Sequence, residues 1–559
     1  MLRRNTSCKQ WLKFVTLLKI FLQMSLTECD CSAYIPFQKT GFFSTIMSDY
    51  LEQSEKIAPF YSNFPSIENF ENQILSKQQS YSKDNREVLV SVLKQQYAEV
   101  TTSEKTLENI DLLGKENTFT VTTGHQLNLF TGPLYFLYKI ISAINLSEEL
   151  SEKYPSNNFV PVYWMATEDH DFEEINYFNF KGKKVQWTSD QTGAVGRFST
   201  EGLALVFEEF QKHLGTSKNA EFLKELFKQG YLQHDNLAAA TRYIANELFA
   251  EFGLVIIDAD SQELKQLFIP YIKEDLINST SFKAVTKTNE LLGETYKIQV
   301  NPREINLFYI KDTVRERIVF EDSVFKVIDT IIEFTEEEIL KELQNHPERF
   351  SPNVIMRPLY QEVILPNLCY IGGGGELAYW MQLKGFFDTV SVPFPILLLR
   401  NSVQVVSAKQ YGKLERLNIS LEELFFNQHD LVAKKVNENA EVSFDFKQQK
   451  VFLEEQFNTL REIAAKTDVS YIGAVNAQEK KQKKGLENLE KRLLRAEKRR
   501  QSDLVDRIKT IQSEILPNLS LEERKRNFSE YYLEYGTDFI TTLKNSLKPL
   551  KLEFFVLVK

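Results

Sequence analysis

Residues 118–136 read TFTVTTGHQLNLFTGPLYF. Thr118 to Thr123 form a β-branched run suited to a short strand, and Leu134, Leu137, Ile141 and Ile144 fall beyond it on one helical stripe. Pro133 suits a first helical position. Between strand and helix lie two glycines, a histidine and two amides, more polar punctuation than a plain connection needs. At the carboxyl edge of a parallel sheet, the helix that follows such a turn presents unpaired N–H groups and the positive end of its dipole. An anion fits there. Gly124 and Gly132 let the backbone come close to a ligand, while His125, Gln126 and Asn128 supply donors. The stretch is neither a GxGxxG fingerprint nor a phosphate loop with its lysine, which weighs against nicotinamide and ordinary NTPase readings. A capping turn whose histidine bonds to nearby backbone is the plain alternative.

The same strand signal recurs outward. Phe159 to Ala166 (FVPVYWMA) is a nearly continuous apolar run, as in a strand buried on both faces, and Leu254 to Asp258 and Pro395 to Leu399 repeat it. Strands separated by helical patterns predict a doubly wound α/β core over residues 31–430, with insertions near 176–235 and 280–355. In the last quarter, Leu486, Leu489, Leu493, Ala496, Leu504, Ile508, Ile511 and Ile515 make a coiled-coil stripe over residues 431–520. Arg500 interrupts the register and Pro517 ends the helix. An earlier helix near 447–465 offers an antiparallel partner within the chain, but so narrow a stripe predicts a homodimer seam. Residues 521–559 close on the strand-like Leu552 to Val558, expected to return to the core.

With 43% hydrophobic and 26% charged residues, the 559-residue chain can bury a substantial core. A net charge of −10 and a pI near 5.5 argue against general attraction to nucleic acid or anionic membrane. Cys8, Cys29, Cys31 and Cys369 are too few for a disulfide framework, so a cytoplasmic setting is expected. Arg3 and Arg4 precede an apolar run from Trp11 to Leu26 that Lys13 and Lys19 interrupt, leaving neither a clean signal core nor a membrane span. Residues 1–30 are expected to lie outside the fold. They read as a translated upstream extension with initiation near Met24, or else as a targeting or amphipathic segment.

Two further constellations could carry chemistry. Glu168, Asp169 and Asp171 crowd around His170 just after the second strand. Such carboxylates repel one another unless a cation, an ammonium or a shared proton sits among them. The turn could receive an amine or a divalent metal, with His170 or a carboxylate as general base. A solvated helix start is the alternative. The other constellation is RPLYQEVILP from Arg357, running into YIGGGGELAYW. Gly372, Gly373, Gly374 and Gly375 cost backbone entropy and are kept where chain and ligand, or chain and chain, come very close. Glu376 opens the next helix. Arg357 could clamp a carboxylate or phosphate, or pair internally with an acid such as Glu362. Arg400 and Asn401 stand at the end of the last apolar strand, and Cys369 reads as a small buried hydrophobe.

Together, TGHQLNLFTGPLYFLYKIISAI, PVYWMATEDHDFEEIN, RPLYQEVILPNLCYIGGGGELAYWMQLK and LEKRLLRAEKRR resemble the bacillithiol-biosynthesis cysteine-adding enzyme family, BshC, from about Cys31 onward. The resemblance implies a Rossmann-like core with inserted connecting segments, a homodimerising coiled coil, and a ligase. That ligase would join L-cysteine to glucosaminyl malate in the last step of making bacillithiol. Related mycothiol ligases and class I aminoacyl-tRNA synthetases activate the carboxylate as an adenylate, which would make ATP and Mg2+ the cofactors and the His125 turn a cradle for phosphate or carboxylate. Gly124-His125-Gln126 carries one histidine where the synthetase signature carries two, and Ser407-Ala408-Lys409 is a weak counterpart of their lysine-serine signature. The working assignment makes His125, Asp169 and His170 catalytic. Gly124, Gln126, Asn128, Glu168, Asp171, Arg357, Gly372 to Gly375, Glu376, Arg400 and Asn401 bind substrate. A nucleotidyl transferase acting on another small molecule, and a non-catalytic nucleotide-binding scaffold, stay open.

Overall fold

The computed structural model of the protein describes residues 32–441 and 446–559, so the expected N-terminal extension lies outside the described residues. At its centre are five parallel strands: β1 (Thr118–His125), β2 (Asn158–Met165), β3 (Val255–Asp258), β4 (Asn367–Gly372) and β5 (Ile396–Leu399). Their order is β5-β4-β1-β2-β3. The chain winds from β1 through β2 to β3, then crosses back to lay β4 on the other side of β1. A crevice opens beyond the carboxyl ends of β1 and β4, where the winding reverses.

Every residue of β1 is buried. Its threonines would be costly there without partners. Thr120 and Thr122 donate to Asn367 Oδ1 at 3.2 and 2.8 Å, and Thr123 donates to Ile371 O at 2.8 Å, so the hydroxyls help fasten β1 to β4. The sequence did not mark β4 as a strand, because its glycine-rich end dominates the reading.

Helix α1 (Tyr135–Lys153) packs against β1 and β2, with Leu134, Leu137, Ile141 and Ile144 almost wholly buried. It starts two residues after Pro133, with Leu134 as its cap. Nine residues therefore separate β1 from α1, and the Leu134 amide donates to Arg526 O at 2.8 Å. Pro133, expected at the first helical position, lies two residues before the helix begins. Phe130 and Thr131 have φ of 48° and 67°, followed by Gly132 at φ 63°, ψ −133°. A Cβ on Gly132 would fall 2.6 Å from Asn128 Cβ. The glycine serves the fold of the turn itself.

The first insertion supplies the hairpin Tyr177–Phe180 and Lys183–Gln186 and the helices Leu203–Gln211 and Lys218–Leu232. The second carries a five-stranded antiparallel sheet between Leu307 and Pro352, which the sequence showed only as mixed material. The closing strand Glu553–Val558 lies between Ala33–Pro36 and Val403–Val406, so the chain does end by returning to a sheet.

Helices α2 (Lys447–Thr467) and α3 (Ile472–Arg500) form an antiparallel hairpin, with ion pairs Lys450–Glu490 at 2.7 Å and Lys483–Glu454 at 3.5 Å. The helix breaks at Gln501 and resumes as α4 (Ser502–Ile515), beside the register fault at Arg500. The apolar stripe divides there. Ile508, Ile511 and Ile515 are buried, and α4 packs on the helix Gln428–Glu438. Leu489 and Leu493 on α3, and Leu460 and Ile463 on α2, are 41–54% exposed.

Gly132→Ala is expected to cost about 1–3 kcal/mol of stability from backbone strain, read from chemical denaturation. Gly375→Ala, where a Cβ meets nothing within 4 Å, should leave stability unchanged.

Candidate active site

Three turns distant in sequence share one cavity of about 970 Å3 at the switch point. Gly124, His125 and Gln126 reach it from β1, and Glu168, Asp169 and His170 from β2. Gly373, Gly374, Gly375 and Glu376 reach it from β4, Arg357 from the helix before β4, and Arg400 from β5. Not every expected residue joins them. Asn128 and Asp171 line a neighbouring cavity of about 590 Å3 that shares Gln126, Tyr135 and Arg524 with the first. Gly372 is buried within β4, where a Cβ would come 3.0 Å from the Tyr370 ring. Asn401 packs away from both cavities: its Oδ1 accepts from Ser142 and its Nδ2 donates to Lys548 O.

The glycine turn opens the helix Gly374–Gln382. Glu376 Oε2 accepts from the Gly373 amide at 2.8 Å, and its Oε1 accepts from Tyr370 at 2.8 Å. Lys139, in the middle of α1 and 3% exposed, pairs with Glu376 at 2.6 Å and donates to Gly124 O at 2.8 Å. Burial would raise the Glu376 carboxyl, but Lys139 and these hydrogen bonds hold it below the usual carboxylate range. Lys139 was missed from the sequence; a lysine inside the apolar stripe of α1 was the available signal.

In the turn after β2, Asp169 Oδ1 accepts the amides of His170 and Asp171 at 2.7 and 3.3 Å, and Oδ2 accepts from Gln126 at 3.0 Å. Glu168 does not face a ligand as a free anion. Its carboxylate is paired with buried Lys265, which also lies 3.7 Å from Asp260; burial raises its pKa and Lys265 opposes the shift. His170 lies over the Phe308 ring, and its Nδ1 meets the Arg315 guanidinium. Burial and then the Arg315 charge lower its pKa. A neutral imidazole that accepts from Arg315 at Nδ1 carries its proton on Nε2 and has no lone pair for another. The Arg315 contact occupies Nδ1, one of the two nitrogens His170 has for accepting a proton. Arg315 comes from the unforeseen antiparallel sheet, so no local sequence signal announced it.

The arginines divide by partner. Arg400 is committed to Glu523 through bonds of 2.7 and 3.1 Å, both side chains buried. It serves as an internal ion pair more than a ligand clamp. Glu362, the internal partner considered for Arg357, pairs with Lys77 at 3.3 Å instead. Arg357 donates to Tyr379 at 3.1 Å and Gln361 at 3.3 Å and has no carboxylate partner among the described residues. Arg303 and Arg524, also on the cavity wall, are likewise without an acidic partner among the described residues.

These features define an α/β protein of doubly wound order whose ligand crevice lies at the reversal of the winding, walled by unpaired arginines. The chain belongs to the BshC family. Residues 31–401 match the family described as "Bacillithiol biosynthesis BshC, N-terminal Rossmann-like domain", and residues 403–558 match "Bacillithiol biosynthesis BshC, C-terminal coiled-coil domain". It is 57% identical to a Flavobacterium johnsoniae protein named "Putative cysteine ligase BshC", over 94% of this chain and 99% of the relative. The like-named protein of Cytophaga hutchinsonii is 40% identical over 92% and 96%, and that of Bacillus anthracis 28% over 89% and 94%.

Lys139→Met is expected to destabilise the protein by about 1–3 kcal/mol, the cost of leaving the half-buried Glu376 carboxylate without its ammonium. Lys139→Met with Glu376→Leu should recover much of that loss in the same denaturation experiment.

Proposed function

We propose that this protein is an amide-forming ligase that joins L-cysteine to glucosaminyl malate, completing bacillithiol. The carrying observation is Arg357: a guanidinium without an acidic partner, facing a cavity of about 970 Å3 that Asp169 and the Gly373–Gly375 turn also line. An arginine so placed is suited to a carboxylate or phosphate of the substrates. The names of the relatives agree with this reading.

Asp169 holds the amine of glucosaminyl malate and takes its proton. The amine nitrogen attacks the activated carboxyl carbon of cysteine, the C–N bond forms, and the bond to the leaving oxygen breaks. His125 and the Gln126 side chain wall the reacting centre, while Arg303, Arg357 and Arg524 balance anionic groups. ATP would supply the activated carboxyl, and those arginines with the N-terminus of Gly374–Gln382 would hold its phosphates. The residues do not fit a protein-held Mg2+. Among the described residues no group of three His, Cys, Asp or Glu side chains is placed for one, and Glu168 is occupied by Lys265.

In assays with L-cysteine and glucosaminyl malate, Arg357→Gln and Asp169→Asn should each lower kcat/KM by about a hundredfold or more. Near-unchanged turnover in both would reject the site. Omitting ATP and Mg2+ from the wild-type assay tests the activation chemistry. A deletion strain should lose bacillithiol and accumulate glucosaminyl malate; an unchanged thiol profile would favour the transferase or scaffold readings.

The exposed Leu460, Ile463, Leu489 and Leu493 support a homodimer through the α2–α3 hairpin. Sedimentation should give a dimer for the wild type and a monomer for Leu489→Glu with Leu493→Glu.

A further inference from the structure

Gln126 sits where the two cavities meet and lines both of them. Its Nε2 donates to Asp169 Oδ2 at 3.0 Å and to Glu174 Oε2 at 2.9 Å. An amide nitrogen carries two hydrogens, so both are spent. The two carboxylates also decide which way the amide faces. Turned over, it would set Oε1 against two acceptors and lose both bonds. Oε1 itself has no hydrogen-bond partner among the described residues and is not buried. The open space beside Gln126 is the pair of cavities.

This reverses the role that the sequence suggested. A side chain expected to donate to an anion is left with an acceptor to offer. What it accepts from is set by the charges around it. Asp169 and Glu174 both reach one amide nitrogen, yet neither forms an ion pair with a lysine or arginine among the described residues. Arg524 and Lys525, on the wall of the second cavity, pair with neither of them. Two carboxylates drawn together without a cation favour one that arrives with the ligand.

We propose that Gln126 is a substrate-binding residue whose Oε1 accepts from a primary amine of the ligand, selecting that nitrogen over a hydroxyl oxygen and orienting it beside Asp169. The inference rests on the ligase reading for the identity of the amine, which is that of glucosaminyl malate. An acceptor suits a nucleophile. A bond from the amine N–H to Oε1 leaves the nitrogen lone pair uncovered, whereas a donor in this place would occupy it. Ammonium and amine both keep an N–H for Oε1, so the contact outlasts the loss of the proton to Asp169. Glu174 acts as a positioning residue, since it takes the second amide hydrogen and so helps to fix the plane of the amide.

The test uses the full chain and Gln126→Met, which keeps the side-chain length and removes the acceptor. In ligase assays KM for glucosaminyl malate should rise about tenfold or more, with kcat lowered less than about threefold and KM for L-cysteine within about twofold. A rise confined to L-cysteine, or a fall in kcat with both KM values unchanged, would overturn the proposal. Calorimetry needs no turnover. The wild type should bind glucosaminyl malate about tenfold or more tighter than glucosyl malate, in which a hydroxyl replaces the amine, and Gln126→Met should narrow that preference. Equal affinity of the wild type for the two compounds overturns the proposal, even where Gln126→Met fails to fold. Amine preference in a protein that forms no amide would reject the ligase reading and leave this one standing. Amide formation with KM unchanged in Gln126→Met would do the reverse.

Discussion

Lys139 reaches from the middle of α1 to Glu376 while donating to the Gly124 carbonyl. That one ammonium ties the turn after β1 to the helix after β4, across the point where the winding of the sheet reverses. A lone buried charge would be prohibitive, so the pair must stay closed. Because it stays closed, the two glycine-bearing turns face each other over a crevice of fixed shape. Arg400–Glu523 braces the same edge of the sheet, and Lys77–Glu362 holds the amino end of β4, where Glu362 accepts from Asn367.

This bracing decides which charges are left for a ligand. Arg357 and Arg400 look equally promising as anion clamps in a list of residues, yet Glu523 consumes Arg400 and no acid reaches Arg357. The carboxylates sort in the same way. Lys265 takes Glu168, whereas Asp169 keeps its place through a backbone turn and Gln126. A crowded acidic turn becomes one available carboxylate beside a basic wall.

The insertions matter more to the site than their sequence suggested. Arg315 on the antiparallel sheet meets Nδ1 of His170. Thr241 enters the small space behind His125. Both histidines of the expected catalytic set therefore face segments more than a hundred residues away in sequence.

Apolar runs bounded by turn residues were enough to locate β2, β3 and β5, because strands buried on both faces are continuously apolar, while β1 was legible from its β-branched residues. The register fault at Arg500 marked an irregularity in a stripe read as ending at Pro517, but not the helix break that the structure places at Gln501. The linear pattern did place His125 and Asp169 at carboxyl ends of strands, and a parallel sheet leaves such positions on one rim; Gly373 joins them at the end of β4, a strand the pattern did not mark. Partner choice was beyond it. Whether an arginine meets a glutamate, whether a histidine meets an arginine, and whether Gly132 serves a ligand or its own turn all depend on contacts between distant segments. Those contacts exist only once packing has brought the segments together, and in a low-dielectric interior they determine which polar groups remain free to act.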